Sequence, residues 1–223
     1  MTELGPIWIT VTLATATTFV LLLIGTPLAW WLATTRSRLR PAVEALTALP
    51  LVLPPTVLGF YMLVLLGPAS ALGGFWLSIT GQALTFSFSG LVVASVVYSL
   101  PFMVQPLQGA FERLGRAPLE VAASLRASPW DSFFSVAMPL SKGGFVTAIV
   151  LTFAHTVGEF GVVLMVGGNI PGETRVISIA IYEYVETLRY GDAHRLSLGL
   201  LVFSFLVLLL VYRHNRSLSV RVG

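Results

Sequence analysis

The chain has 223 residues, of which 56% are hydrophobic and only 10% charged, with a formal net charge of +3; its mean hydropathy is +0.87. Soluble domains carry about 25% charged residues, so this chain cannot cover a globular surface with polar side chains, and it reads as an all-α integral membrane protein of one bundle, residues 1–223. Having no cysteine, it has no disulfides, thiolate metal sites or cysteine nucleophiles, and although its pI is near 9.6 its cations are not gathered into a basic domain for nucleic acid.

A bilayer core needs about 20 mostly apolar residues per helix, and five segments qualify. The opening MTELGP has no basic region and the apolar run after it is too long for a signal peptide, so span one, over roughly residues 7–34, is expected to be retained. It ends in Trp30 and Trp31 near an interface, and Arg36, Arg38 and Arg40 follow. Span two covers roughly 43–66 and holds Pro50, Pro54 and Pro55. Each proline removes a helix donor, and the Pro54-Pro55 pair also restricts Leu53. Freed carbonyls are tolerated mainly inside a bundle or beside water. The prolines therefore mark either a bend lining a translocation path or an ordinary kink near the cytoplasmic end.

Residues 67–89 form an uncharged loop. Span three covers roughly 90–111, where Pro101 and Pro106 admit the same two readings. The loop over about 112–142 carries Arg113, Arg116, Arg126 and Lys142. Span four, roughly 143–166, is interrupted at its outer end by Gly158, Glu159 and Gly161. A loop over 167–195 sets three arginines against four acids, and span five, roughly 196–212, precedes Arg213, Arg216 and Arg221. Ten of the thirteen basic residues thus fall on one side. By the positive-inside rule that side is cytoplasmic, which puts the amino terminus outside and the carboxyl terminus inside.

The 112–142 loop is too structured for a linker. Pro118 suits the first position of a helix, and Glu120 then falls in the first turn, where the dipole favours a negative charge. Ala122 and Ala123 give that helix a small-residue side. Ser128 is a plausible N-cap, with Pro129 at N1 and Asp131 three residues on. Phe133, Phe134 and Val136 follow, and Pro139 ends or kinks this second helix before span four. Two short helices with a break near Ala127 and Ser128 suit either an interfacial segment under the membrane or a helical knob for a soluble partner's groove.

Residues 157–175 read VGEFGVVLMVGGNIPGETR. Their glycines permit close approach or broken helices. Glu159 is an ionisable residue at membrane depth, a functional candidate, or else it snorkels outward or makes a structural hydrogen bond. His155 stands alone on an apolar stretch and suits a structural hydrogen bond better than a metal. His194 and His214 are expected in loops. No GxxxxGK[ST] loop is present, nor any serine, histidine and acid set that suggests a triad.

The loop residues carry a resemblance. Glu120, Val121, Ala122, Arg126, Val136, Met138 and Pro139 fall without a gap on a pattern that resembles the EAA loop of ABC importer permeases. Two positions depart from it: Val121 replaces the usual first alanine, and Arg126 replaces the usual glycine of the turn. An arginine there adopts ordinary backbone angles, carries strain or makes a new charge contact. GEFG followed by GNIPGETR, with LPLVLPPTVLGFYMLVLLG over 49–67, resembles the molybdate importer permeases, across roughly residues 20–190. Sulfate and thiosulfate permeases are similar around GEFG and remain the alternative cargo class.

The resemblance implies a type I importer permease fold in the inner or plasma membrane. It implies a second copy of the chain, two cytoplasmic ABC ATPase subunits that hold the ATP and Mg, and an external oxyanion-binding protein. No cofactor or metal is expected on this chain. The ATPase-coupling residues would be Glu120, Val121, Ala122, Ala123, Arg126, Ala127, Ser128 and Trp130. Pro54, Pro55, Glu159, Phe160 and Asn169 are the expected path or gate residues. An ion-coupled secondary transporter would call for inverted repeats and paired intramembrane acids; no convincing repeat is found and Glu159 stands alone.

Overall fold

The computed structural model describes the backbone of residues 4–219 and the side chains of residues 5–213; Arg221 and the Arg216 side chain lie outside the described residues. Every regular element among the described residues is helical, as hydrocarbon demands of a chain that must satisfy its own backbone. Three helices are long and apolar enough to cross a bilayer alone: α1 (Leu4–Thr34), α5 (Phe88–Leu114) and the last helix, α12 (Tyr190–Ser219). Among the described residues, up to five crossings result when the bent pairs Arg40–Val52 with Pro55–Leu66 and Pro129–Leu140 with Lys142–Gly158 each count as one. Helix α5 runs through Pro101 and Pro106 unbroken.

The expected second span is not a straight crossing. It divides into α2 (Arg40–Val52) and α3 (Pro55–Leu66), bent by 112°. The cause is local. Leu53, caught before Pro54, is extended at φ −71°, ψ 136°, and Pro54 is extended after it. Pro50, by contrast, stays buried inside α2.

The expected uncharged loop contains a further helix, α4 (Ala71–Thr80). Ser70 caps it by accepting from the Gly73 N–H at 2.9 Å, and Gly81 closes it at φ +71°. The 112–142 loop forms α6 (Ala117–Ser124), α7 (Pro129–Asp131), a π-helical stretch over Ser132–Ala137 and α8 (Met138–Leu140). The fourth span is α9 (Lys142–Gly158) followed, after a break, by α10 (Gly161–Gly167). The outer loop after it holds α11 (Ile177–Glu186). His194 and the backbone of His214 belong to α12 rather than to loops.

Three apolar clusters hold the bundle. Leu21, Leu32, Met103, Leu107, Phe111 and Ala148 join the cytoplasmic halves of α1, α5 and α9. Leu58, Met62, Ala94, Val162 and Val166 join α3, α5 and α10, while Ile9, Leu13, Leu91, Val163 and Ile179 close the outer end. Lipid provides no hydrophobic drive between helices, so close packing of small residues matters. A Cβ on Gly144 would lie 2.3 Å from the Cβ of Ala110, so α9 and α5 touch through a bare backbone there. At the cytoplasmic end Arg40 bonds Glu44 at 2.9 Å and Glu112 at 2.5 Å, and the Gln108 amide donates to Glu44 at 2.7 Å, tying α2 to α5.

Candidate functional site

The cytoplasmic loop is a self-packed two-helix unit. Helix α6 ends in a Schellman turn, in which the Arg126 N–H donates to the Ala123 carbonyl at 2.9 Å and the Ala127 N–H to the Ala122 carbonyl at 3.0 Å. This motif puts its C′ residue in the left-handed region, and Arg126 sits there at φ +62°. Of the readings open to Arg126, the structure shows the strained one, at about 1–2 kcal/mol. Ser128 then caps α7 by accepting from the Asp131 N–H at 3.1 Å. Pro139 lacks the N–H that would bond the Ser135 carbonyl, and the widened π-helical turns run up to it.

The loop is rooted by one aromatic ring and exposed by others. Phe133 packs edge-on against Trp30 with centroids 5.2 Å apart, and lies 6.1 Å from Phe111. Trp130 stacks on Phe134, and both are exposed, Trp130 by 76%. Val121 and Leu125, one turn apart on α6, are exposed by 61% and 79%. Glu120, Ala123, Arg126 and Ser128 are exposed too. Ala122 is not: it is buried in the packing between α6 and the π-helical stretch, and Ala127 is half-buried. A cavity of about 580 Å³ opens between the two helices, lined by Val121, Leu125, Asp131 and Val136 among others. Exposed apolar side chains thus surround a concavity on this charged loop, a kind of patch that marks interaction sites on proteins.

The second region lies where both broken spans are interrupted. Glu159 leaves α9 in extended geometry (φ −62°, ψ 136°) and Phe160 precedes α10. A Cβ on Gly161 would lie 2.8 Å from the Pro55 Cβ, so the α9–α10 break meets the α2–α3 break. The structure thus brings Pro54, Pro55, Glu159 and Phe160 into one neighbourhood.

Glu159 itself is enclosed, its side chain fully buried. Ser95 donates to Oε2 at 2.6 Å and Ser99 to Oε1 at 2.5 Å. His155 Nδ1 lies 3.4 Å from Oε1 and 2.9 Å from the Ser99 hydroxyl, and its ring stacks on Phe102. The Glu159 carbonyl accepts from Ser178 of α11. One residue therefore ties α5, α9 and α11 together at the break. His155 makes the structural hydrogen bond expected of it, and no group of three metal-ligating side chains occurs among the described residues.

Asn169 is not part of this knot. It lies on the outer rim, donating to Glu183 at 2.9 Å and accepting from Arg175 at 2.6 Å, with Arg175 and Glu183 themselves 3.1 Å apart. The serines at 95, 99 and 178 were not singled out in the sequence. The available signal was the spacing of Ser95 and Ser99, four apart on one face of α5.

A bundle whose two interrupted spans meet at their breaks, with a rooted handle beneath the membrane, has the layout of a transport permease. Comparison with known proteins specifies which kind. A family model described as "Binding-protein-dependent transport system inner membrane component" matches residues 25–220, and the chain belongs to that family. The Molybdenum transport system permease protein ModB of Azotobacter vinelandii is 58% identical over 214 residues, covering 96% of this chain and 95% of that protein. The protein of the same name from Haemophilus influenzae is 32% identical over 87% of this chain and 86% of its own length. Among solved structures, an inward-facing MetNI methionine ABC transporter superposes with a TM-score of 0.70 at 20% identity, over 97% of this chain and 99% of that one. The fold is that of ABC importer permeases, and the chain is a multi-pass inner-membrane transport component rather than an enzyme.

Proposed function

We propose that this chain is the membrane permease of an ATP-driven importer of molybdate or tungstate. The observation that carries the cargo is its identity to molybdenum permeases along nearly their whole length. The observation that carries the mechanism is the exposed loop, a rigid knob with Glu120, Val121, Leu125 and Trp130 presented to the cytoplasm.

In this reading residues 1–223 form one permease domain, and two copies build the path about a two-fold axis, the simplest route to a central pore from one small bundle. Two ATPase subunits, holding ATP and Mg, take the loops over 112–142 into their clefts through Glu120, Val121, Ala123, Arg126, Ser128 and Trp130, while Ala122 and Ala127 keep the two helices in register. An external binding protein delivers the oxyanion. ATP-driven closure of the ATPases moves the loops together, and the bundle rocks about the breaks at Pro54-Pro55 and Glu159-Phe160. Asn169, with Arg175 and Glu183, belongs to the outer rim.

The test is ATPase activity of the chain reconstituted with its ATPase subunit and binding protein, with molybdate, tungstate or sulfate added in turn. Stimulation by molybdate or tungstate alone, lost in Glu120→Ala, is the expected result. Stimulation by sulfate would overturn the cargo. Failure of any ATPase subunit to co-purify would overturn the coupling role of the loop.

A further inference from the structure

A second cavity, about 930 Å³, lies between α1, the second loop helix and the start of α9. Its lining is ordered by depth. Along α1 it runs from Leu22 to Trp30, and along α9 from Lys142 to Ile149. Those are axial distances of about 12 Å and 10 Å at 1.5 Å per residue. The two helices run in opposite directions, yet their polar ends coincide. Trp30 and Lys142 stand at the cytoplasmic interface, while Leu22 and Ile149 stand deeper in the hydrocarbon.

The loop side of the cavity is aromatic, with Trp130, Phe133 and Phe134. The α1 side continues onto the exposed Phe19, Leu23 and Ile24. Lys142 is exposed, and no hydrogen bond or ion pair engages it among the described residues. It also opens α9, whose first N–H groups carry positive partial charge.

A groove that is apolar at one end and cationic at the other, aligned with the bilayer normal, fits an amphiphile with an anionic head. Anionic phospholipids of the cytoplasmic leaflet have that form and lie at that depth. A neighbouring helix of a second copy would fill an apolar groove but would not call for the unpaired lysine at its interfacial end. We propose that this cavity binds one anionic phospholipid per chain, its acyl chains between α1 and α9 and its phosphate at Lys142. Because Phe133 forms part of one wall, the lipid seats the second loop helix against the bundle. The proposal rests on the cytoplasmic placement of the loop and not on the cargo.

The test uses the full-length permease in phosphatidylcholine vesicles, with tryptophan fluorescence read as acyl-brominated phosphatidylglycerol is added. A Trp30→Phe variant assigns the signal. Quenching of Trp30 is expected to reach most of its extent at a small fraction of brominated phosphatidylglycerol, and brominated phosphatidylcholine to quench only in proportion to its share. Lys142→Glu should shift the midpoint several-fold toward higher phosphatidylglycerol. Lys142→Arg should restore it, and Thr26→Phe, which fills the groove, should abolish the saturable component. Equal quenching by both lipids, or a midpoint indifferent to Lys142→Glu, would overturn the site. So would the absence of any quenching at Trp30, which would mean that protein covers the groove.

Discussion

Arg126 is the residue at which local chemistry and backbone geometry disagree. The Schellman turn needs a left-handed C′ residue, which glycine adopts without penalty and arginine does not. Arg126→Gly is therefore expected to stabilise the loop by about 1 kcal/mol, seen as slower hydrogen exchange at the amides of positions 126 and 127. Faster exchange would mean that the guanidinium makes a contact outweighing the strain. Glu159 presents the opposite case, a costly group fully satisfied. Glu159→Ala removes the acceptor of the Ser95 and Ser99 hydroxyls and should cost about 1–3 kcal/mol in detergent unfolding. Glu159→Gln, which keeps one acceptor, should cost less. An unchanged midpoint for Glu159→Ala would show that the knot contributes nothing to stability. The acid was visible in GEFG. Its partners were not, because they come from α5 and α11, sixty-four residues before it and nineteen after it.

The elements differ in how far the sequence disclosed them. Helices α1 and α5 and the Ser128 cap were legible because long apolar runs and cap chemistry are local signals. The break after Leu53 was legible as a restriction on that residue, but its 112° bend was not. A bend angle is set by what each half packs against, and α3 packs on α10. Helix α4 is not legible from charge, since residues 67–89 carry none, although Ser70 and Gly81 bracket its apolar run. The meeting of the breaks gives an element-level prediction. Gly161→Ala places a methyl group 2.8 Å from the Pro55 ring, and a ring locked in the chain cannot yield, so the two half-helices must separate. Molybdate uptake by the assembled transporter should fall at unchanged permease abundance. Normal uptake would remove this contact from the translocation cycle.

At the scale of the whole molecule, charge asymmetry fixes orientation more firmly than any single element. The chain's lack of cysteine makes that directly testable. Ala123→Cys should react with a membrane-impermeant maleimide only from the cytoplasmic face of inverted vesicles, and Gly172→Cys only from the outside of intact cells. Reversed labelling would invert the topology and withdraw the coupling surface.

The root of the cytoplasmic loop has a mechanical consequence. Phe133 is wedged between Trp30 of α1 and Phe111 of α5, while Trp130 and Phe134 project from the same short helical segment. The segment is a tooth with a root in the jaw. A sideways load on its crown produces torque at Trp30 and Phe111, because these ring contacts, unlike a hinge of loop backbone, couple the segment directly to both helices. In the proposed coupling, a displacement of the crown would pass through Phe133 to α1 and α5.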